Sequence, residues 1–517
     1  MSAPLGPIGA NAQTPGPTAA VPRSATPVQP GRLPNMGEEA EMSLAAERRL
    51  GDRIARELYR DPDYIDDPVL LEYVQNIWQA LLAAARLRGE LTPELDERFA
   101  FELLLGKDRT VNAFALPGGY MGLHLGLIAV VSSRDELAAV LGHEMSHITQ
   151  RHIARSTAKQ SAQTPWLIAA MILGGLAASK NANAAGALIS GGQAIAAQNQ
   201  LNFSRDMERE ADRVGFAVMT QAGFDGQGAV GMFEKLQQAN RLSDRGNYPY
   251  LRSHPLTTER IADMQSRVGL APGGITVPNP TLEHAMVAAR ARVISNLAQD
   301  ALRAWVQLAD DPALNDALPF VQAGNLYGAA MASARQRDFA GAQKIVARLG
   351  PVVQNDSAAQ RLQVLLTAEI ALDADQPARV VALLSETVDS IANPKAKPAT
   401  GIQRARPEQL LLAQAQNRLG QAGQVAETLR LWVVTHPRDA MAWQLLAVSY
   451  GQLKEPLRAV RADAEGRVAE QDYAGAQDRL KAAQDLAKNG ADHIEASIID
   501  TRARAVALLL REQALER

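Results

Sequence analysis

The chain has 517 residues, which is too long for one typical hydrophobic core, so two or more domains are expected. Its formal net charge of −3 gives no electrostatic basis for nucleic-acid binding, and the sequence contains neither a phosphate-binding loop nor a glycine-rich dinucleotide fingerprint. The chain has no cysteine, which excludes disulfides and thiol catalysis and leaves nitrogen and oxygen atoms as the metal ligands.

The first 36 residues are rich in proline, glycine, alanine and threonine and show no hydrophobic periodicity. This composition predicts a disordered leader or linker. The basic and apolar regions of a secretory signal are not visible. However, Ala10-Asn11-Ala12 followed by Gln13 fits the tail of a signal peptide as well as it fits an alanine-rich linker, and the residues leave both interpretations open.

A strand, a turn and a second strand are predicted between residues 99 and 127. Apolar residues alternate over 99–105, Pro117-Gly118-Gly119 is a strong turn signal, and alternation resumes at Tyr120. Either this is an ordinary hairpin, or it offers an exposed edge that pairs with an extended substrate by strand addition. We expect His124 to be a solvent-facing strand histidine without a catalytic role.

The stretch 141–152 reads LGHEMSHITQRH and contains the pattern His-Glu-x-x-His. Residues four apart share one helix face, so His143 and His147 can converge on one metal ion. Glu144 lies beside the first ligand, where it can act as a general base. Apolar spacing predicts a helix over 134–150 that begins after Ser133. The alternative is a structural polar helix.

The interval 160–200 contains an apolar run at 165–178, PWLIAAMILGGLAA. Fourteen residues are too few to span a bilayer, which takes about 20. We expect a partly buried lid over the cleft; a surface loop that leans on a membrane or a partner and a buried helical hairpin are the alternatives.

An acidic segment at 204–215, SRDMEREADRVG, places Glu208 and Asp212 on one helix face. By composition alone it is a solvated charge run. A two-histidine helix, however, needs a third ligand, and a second carboxylate can hold a ligand histidine by its other nitrogen. Glu208 and Asp212 are the candidates. Farther along, His254-Pro255 is typical of a turn that leads into a helix.

A Pro- and Gly-rich break at 271–282 precedes helical patterns that continue to the end of the chain. Two segments, one from Pro407 and one from Ala440, repeat with a period near 34, which indicates tetratricopeptide-like helix pairs. Stacked pairs form a curved surface that binds proteins. The alternative is an architectural role in shaping the peptidase cleft.

HEMSH at 143–147 followed by EREAD at 208–212 resembles the gluzincin metallopeptidases, which use HExxH and ExxAD and include the HtpX-type membrane proteases and the CAAX-processing proteases. The resemblance extends to 60–74, 111–128 and 250–261 and covers about residues 40–270. A peptidase followed by repeats resembles the BepA-type periplasmic metalloproteases.

The resemblance implies a mainly α fold, in which an α+β gluzincin domain with a small β-sheet precedes an α-helical tetratricopeptide-like array. The expected boundaries are a leader at 1–36, a zinc metallopeptidase domain at 37–275 and the repeat domain at 283–517. One Zn²⁺ per chain is expected on His143, His147 and Glu208. Glu144 is expected to be general base and proton donor, and Asp212 to hold a ligand histidine. His254 is implied to be an extra ligand that keeps the enzyme inactive.

The implied function is cleavage of misfolded or misassembled outer-membrane proteins in the periplasm of a Gram-negative bacterium. The repeat domain would recruit unfolded substrates or the outer-membrane assembly machinery, with no nucleic acid and at most peripheral membrane contact. A chaperone or assembly factor whose zinc site is mostly latched by His254 is the main alternative. A scaffold with a structural zinc is a third, and it leaves Glu144 without a task.

Overall fold

Short polar side chains begin the helices of the first half of the protein. Ser43, Asp67, Ser133 and Ser204 each accept a hydrogen bond from a backbone N–H in the first turn of the helix that follows. Such caps satisfy amide groups that a helix leaves unpaired at its start. The cap predicted at Ser133 is therefore confirmed. The computed structural model describes residues 42–158, 204–241, 248–269, 280–391, 404–488 and 492–515.

Ten helices lie in the described residues up to 269. They are α1 (Leu44–Arg60), α2 (Pro68–Arg88), α3 (Pro93–Arg98), α4 (Leu125–Val130), α5 (Arg134–Thr149), α6 (His152–Ala158), α7 (Arg205–Gln221), α8 (Gln227–Arg241), α9 (Tyr250–Ser253) and α10 (Thr258–Gly269).

A small sheet accompanies these helices. Its strands are β1 (Tyr64–Ile65), β2 (Glu102–Gly106), β3 (Ala113–Ala115) and β4 (Tyr120–His124), and they are ordered β1-β2-β4-β3. The β2–β4 pair is parallel and the other two pairs are antiparallel. The strands predicted over 99–105 and from Tyr120 correspond to β2 and β4, and the predicted turn is a 3₁₀ turn at Pro117–Gly119. This turn joins β4 to β3, a strand that the alternation did not indicate. Within the described residues, β3 forms one edge of the sheet.

The expectation that His124 faces solvent is wrong. Its side chain is buried, and Nδ1 lies 2.9 Å from the hydroxyl oxygen of Thr110. Every residue of β4 is buried because both faces of the sheet are covered. Met121 joins the core that includes α2 and α5, while Tyr120 belongs to a second cluster that includes Ile54 of α1. Since β4 lies between β2 and β3, only β3 offers an edge on this side.

The described residues from 280 onward are helical except for a 3₁₀ turn at Pro312–Asp316. The helices are α11 (Leu282–Ser295), α12 (Gln299–Asp310), α13 (Pro319–Arg335), α14 (Phe339–Val353), α15 (Ser357–Asp373), α16 (Pro377–Ile391), α17 (Arg406–Arg418), α18 (Ala422–Thr435), α19 (Ala440–Gln452), α20 (Pro456–Ala469), α21 (Tyr473–Ala487) and α22 (His493–Leu515).

The helices α17 and α18 begin at 406 and 422, and α19 and α20 begin 34 residues later, at 440 and 456. This spacing agrees with the predicted period. Asp338 and Asp472 cap α14 and α21. A mainly α fold with a small sheet and a helical C-terminal region is therefore confirmed, while the assignment to tetratricopeptide repeats stays a prediction.

Three arginines of this helical array bind the segment 66–72, which leads into and begins α2. Each arginine bridges one acid of that segment and one acid of the array: Arg290 joins Asp67 to Glu369, Arg361 joins Glu72 to Glu408, and Arg406 joins Asp66 to Asp439. The described residues from 42 onward form one compact unit. The predicted division between 275 and 283 stays a prediction.

The predicted leader at 1–36, its signal-like tail and the predicted lid at 160–200 lie outside the described residues. Among the helices that are described, none combines the length and the apolar character that crossing a bilayer requires.

Candidate metal centre

The two helices that carry the sequence motifs meet at a pair of glycines. A Cβ atom added to Gly215 of α7 would lie 2.9 Å from the backbone N of His143 in α5, and one added to Gly142 would lie 3.1 Å from the Gly215 carbonyl oxygen. Glycine inside a helix costs about 1 kcal/mol relative to alanine. Here the missing side chains let two helix backbones touch, which brings EREAD against HEMSH.

Four buried side chains then converge. Donor atoms of His143, His147, Glu208 and His254 all lie within 4.8 Å of one another. His143 Nε2 is 3.0 Å from His147 Nε2 and 3.3 Å from His254 Nδ1. Glu208 Oε1 is 3.0 Å from His254 Nδ1 and 3.6 Å from His147 Nε2. Tetrahedral ligands at metal distances of about 2.0–2.1 Å would be about 3.4 Å apart. The observed separations fit a single tetrahedral metal ion.

The back of His143 is held by Asp212 and Arg260. His143 Nδ1 is 3.0 Å from Asp212 Oδ1, and Arg260 donates to both oxygens of Asp212, at 2.6 and 2.8 Å. Burial opposes a charged imidazole, but the Asp212 and Glu208 carboxylates outweigh it and raise the pKa of His143 to about 10. Asp212 thus lies where a carboxylate fixes the ring and leaves Nε2 for the metal.

Glu208 is buried and kept ionised by its neighbours. Burial alone would raise the pKa of its carboxyl, yet His254 and His143 hold it well below the usual value. Arg260 Nη1 forms an ion pair at 2.8 Å from Glu208 Oε2, but that oxygen has no hydrogen bond of regular geometry. A buried, ionised carboxylate oxygen without a regular hydrogen bond is suited to binding a metal ion.

His147 has a different partner. Its Nδ1 lies 2.8 Å from Nδ1 of His152, and His152 Nε2 lies 3.0 Å from Glu210 Oε2. Arg155 donates to the same Glu210 oxygen at 2.8 Å. Burial lowers the pKa of both His147 and His152, so both rings are neutral near pH 7.

Glu144 stands beside the donor cluster without being part of it. Its Oε2 accepts a hydrogen bond of 2.9 Å from the backbone N–H of Ala115, at the end of β3, and its Oε1 lies 3.5 Å from His254 Nε2. The side chain is fully buried. One oxygen is therefore anchored to the sheet, and the other points toward the cluster.

His254 reaches the cluster from the end of the short helix α9. Its ring stacks on Tyr250, with centroids 4.6 Å apart, and the side chain is buried. Burial, together with the nearby Glu144 and Glu208 carboxylates, raises the pKa of Tyr250 well above its usual value. The predicted turn that leads into a helix is also present, since His254-Pro255 lies between α9 and α10, which begins at Thr258.

An apolar pocket adjoins the cluster on the α8 side. Val140, Phe216, Met232, Phe233 and Leu236 contribute to its lining, together with His143 and His254. The pocket therefore presents a mostly apolar surface beside the metal donors.

The six site residues predicted from the sequence thus lie together: His143, His147, Glu208 and His254 form the donor cluster, Glu144 lies beside it and Asp212 behind it. Sequence reasoning missed Arg260, His152 and Glu210. Arg260 sits six residues after His254, within a segment already singled out. His152 lies in the stretch 141–152 and Glu210 in the stretch 204–215, but only the packing of these segments reveals that the two side chains meet.

Comparison with known proteins gives the same result. Residues 72–268 match the model of peptidase family M48. Beta-barrel assembly-enhancing protease of Escherichia coli (strain K12) is 28% identical over 445 residues, which cover 84% of this chain and 83% of that protein. A Vibrio cholerae protein named for the same activity is 34% identical over 325 residues, 62% of this chain and 63% of its own length. Mitochondrial metalloendopeptidase OMA1 of Saccharomyces cerevisiae is 28% identical over 196 residues, which cover 37% of this chain and 54% of that protein. Residues 72–268 therefore constitute a peptidase domain of family M48, and the protein is a metallopeptidase.

Proposed function

We propose that the protein is a zinc endopeptidase that cleaves misfolded or misassembled outer-membrane proteins in the periplasm of a Gram-negative bacterium. The observation that carries the chemistry is the donor cluster with near-tetrahedral separations and a non-ligand acid beside it. The relatives named for beta-barrel assembly, which match over most of this chain, support the substrate class and the compartment.

One zinc ion would be held by His143, His147 and Glu208, since nitrogen and oxygen donors of this kind and number are those of catalytic zinc sites. When bound, zinc supplies the Lewis acidity that lets a water molecule lose a proton near neutral pH. Asp212 and Arg260 orient His143, and burial of the whole cluster keeps bulk water away from it.

Glu144 would be the general base and later the proton donor. The Ala115 N–H fixes its Oε2, so Oε1 is the atom that takes the proton from the attacking water. The same oxygen then delivers the proton to the departing amine nitrogen of the cleaved peptide bond. The edge strand β3, whose last residue is Ala115, lies where an extended substrate could pair by strand addition.

The helical array would recruit unfolded substrates or the outer-membrane assembly machinery. Its support is the 34-residue spacing of its helix pairs, which is typical of protein-binding repeats. Because three arginines fasten it to the segment before and within α2, the array would present substrate from a fixed position.

The second candidate is a chaperone or assembly factor whose zinc site is mostly latched. His254 favours it, because its Nδ1 lies within the donor cluster and would fill the position that substrate and water need. In that case His254 is a fourth ligand, and activity depends on its withdrawal.

The test is cleavage of an unfolded outer-membrane protein by the wild type, Glu144→Gln and His254→Ala. The protease proposal predicts chelator-sensitive cleavage by the wild type, none by Glu144→Gln and faster cleavage by His254→Ala. His436→Ala is the matched control, since His436 lies in the helical array and stacks on Trp432. If only His254→Ala cleaves, the latched chaperone replaces the protease. If all variants bind zinc and substrate but none cleaves, the protein is a chaperone or assembly factor whose inactivity does not depend on His254.

A further inference from the structure

The two histidines of the HExxH motif are oriented by different means. His143 meets a carboxylate directly, at Asp212, but His147 meets another imidazole. Ligand histidines usually give their second N–H to a carboxylate, a carbonyl or water. The two ring nitrogens lie 2.8 Å apart, so one of them must carry a proton and donate it to the other.

The proposed metal site determines which nitrogen carries the proton. A histidine that binds metal through Nε2 has no proton there, so neutral His147 carries its proton on Nδ1 and donates it to Nδ1 of His152. His152 must then be unprotonated at Nδ1 and carry its own proton on Nε2. That nitrogen lies 3.0 Å from Glu210 Oε2, which accepts the bond. The hydrogen bonds therefore all run in one direction: His147 donates to His152, and His152 donates to Glu210.

The backbone is bent to make this contact. Arg151, between α5 and α6, has φ of 53°, a left-handed conformation that side chains other than glycine rarely adopt. Its guanidinium pairs with the buried Glu47 of α1 at 3.0 Å and also donates to the Met42 carbonyl. The turn at Arg151 interrupts the helix after α5 and places His152, fully buried, beside His147.

We propose that His152 and Glu210 form a positioning relay that fixes the tautomer and the ring orientation of His147 for metal binding. His152 is a positioning residue that accepts from His147, and Glu210 holds His152, with Arg155 keeping Glu210 in place. The relay rests on the proposed zinc site.

Zinc affinity of the purified full chain tests the relay without any substrate. The dissociation constant for zinc is measured by competition with a chelator, and the absorption spectrum of the cobalt-substituted protein reports the ligand geometry. His152→Leu removes both ring nitrogens, His152→Asn retains an oxygen acceptor near the position of Nδ1, and Glu210→Gln removes the anchoring charge.

His152→Leu is expected to raise the zinc dissociation constant about 10- to 100-fold and to change the cobalt spectrum. His152→Asn is expected to recover part of the affinity, because its amide oxygen can still accept from His147. Glu210→Gln is expected to lie between His152→Leu and the wild type. If His152→Leu does not fold, His152→Asn and Glu210→Gln still decide the question by the same measurements.

Two matched controls separate the relay from a general loss of packing. His284→Leu removes another buried histidine with two hydrogen-bond partners, and Glu259→Gln neutralises an exposed acid paired with Arg209. Both are expected to bind zinc within about twofold of the wild type, a change well below that expected on loss of a ligand's partner. Wild-type affinity and spectrum in the relay variants, or equal losses in the controls, would overturn the relay alone. A wild type that binds no zinc would overturn the proposed function together with the relay.

Discussion

Replacement of Arg290 by methionine should destabilise the whole described unit by about 3 kcal/mol. The guanidinium is buried and binds Asp67 and Glu369 through paired contacts of 2.8–3.1 Å, with a further bond of 3.1 Å to Tyr327. Removing one partner of a buried ion pair costs about 3–5 kcal/mol, because the remaining charge is left in a poorly solvated place.

The lower end of that range applies for a structural reason. Asp67 keeps one bond, from the Leu70 N–H that it caps, and the Glu369 side chain is 20% exposed, so water recovers part of the loss. The contact also joins α11 to α2, so we expect a shift of the entire unfolding transition and no separate early phase.

Urea unfolding monitored by circular dichroism measures the change, which is read as a free energy only if the urea slope is unaltered. Arg303→Met is the matched control: this arginine pairs with Asp300 at the surface and should cause no measurable change. In Arg290→Met with Asp67→Asn, the combined loss should be smaller than the sum of the single losses. A loss below about 1 kcal/mol for Arg290→Met would refute the account, since it would place the cluster in an environment that water already solvates.

Three further predictions address pH, helix packing and the base. Burial lowers the pKa of His284 from 6.5 to about 4, so as the pH falls the unfolded chain binds a proton on this ring before the folded chain does. The stability that neutral His284 contributes is therefore complete above about pH 6.5 and is lost toward pH 4, at a cost of up to about 3 kcal/mol. Thermal unfolding of His284→Gln should lack this loss. Gly215→Ala inserts a Cβ atom 2.9 Å from the His143 backbone, and because α5 and α7 must separate, bound zinc measured by elemental analysis should fall in parallel with activity. Ala115→Pro removes the N–H that anchors Glu144. Since a hydrogen bond to a charged group is worth about 1.5–3 kcal/mol, peptide cleavage should drop roughly tenfold or more while zinc stays bound. Unchanged cleavage would contradict the anchoring role.

Local sequence signals predicted the parts of the site that lie within one helix. The spacing of His143 and His147 fixes their common face whatever surrounds the helix, and Ser133 marks where that helix begins. The pairing of Glu208 with this helix required a further premise, that two histidines need a third ligand. The 34-residue spacing of the array was likewise visible, because each helix pair repeats a local pattern.

The rest depends on packing between segments far apart in the chain. The alternation around His124 predicted that one face of β4 is exposed to solvent, but α1 covers that face. Arg260 reaches Asp212 across 48 residues, and Glu210 reaches His152 across 58. Their charges alone indicate exposed side chains, and only the packing of α7 against α5 and of α10 against α7 turns them toward the site.

The arrangement of these contacts also indicates which element must move if His254 is a latch. The α5 and α7 backbones touch at Gly142 and Gly215, so the histidine and glutamate ligands cannot separate without breaking a close contact. His254 instead ends a helix of four residues, whose first N–H makes a long bond of 3.4 Å to the Val111 carbonyl. Withdrawal of α9 would free one donor position and would strain the bond from Arg260 Nη1 to the Pro255 carbonyl, while Nε and Nη2 of Arg260, on α10, could still hold Asp212 against His143. A latch at this place can therefore open and leave the three-residue metal site intact, which is what a protease controlled by His254 requires.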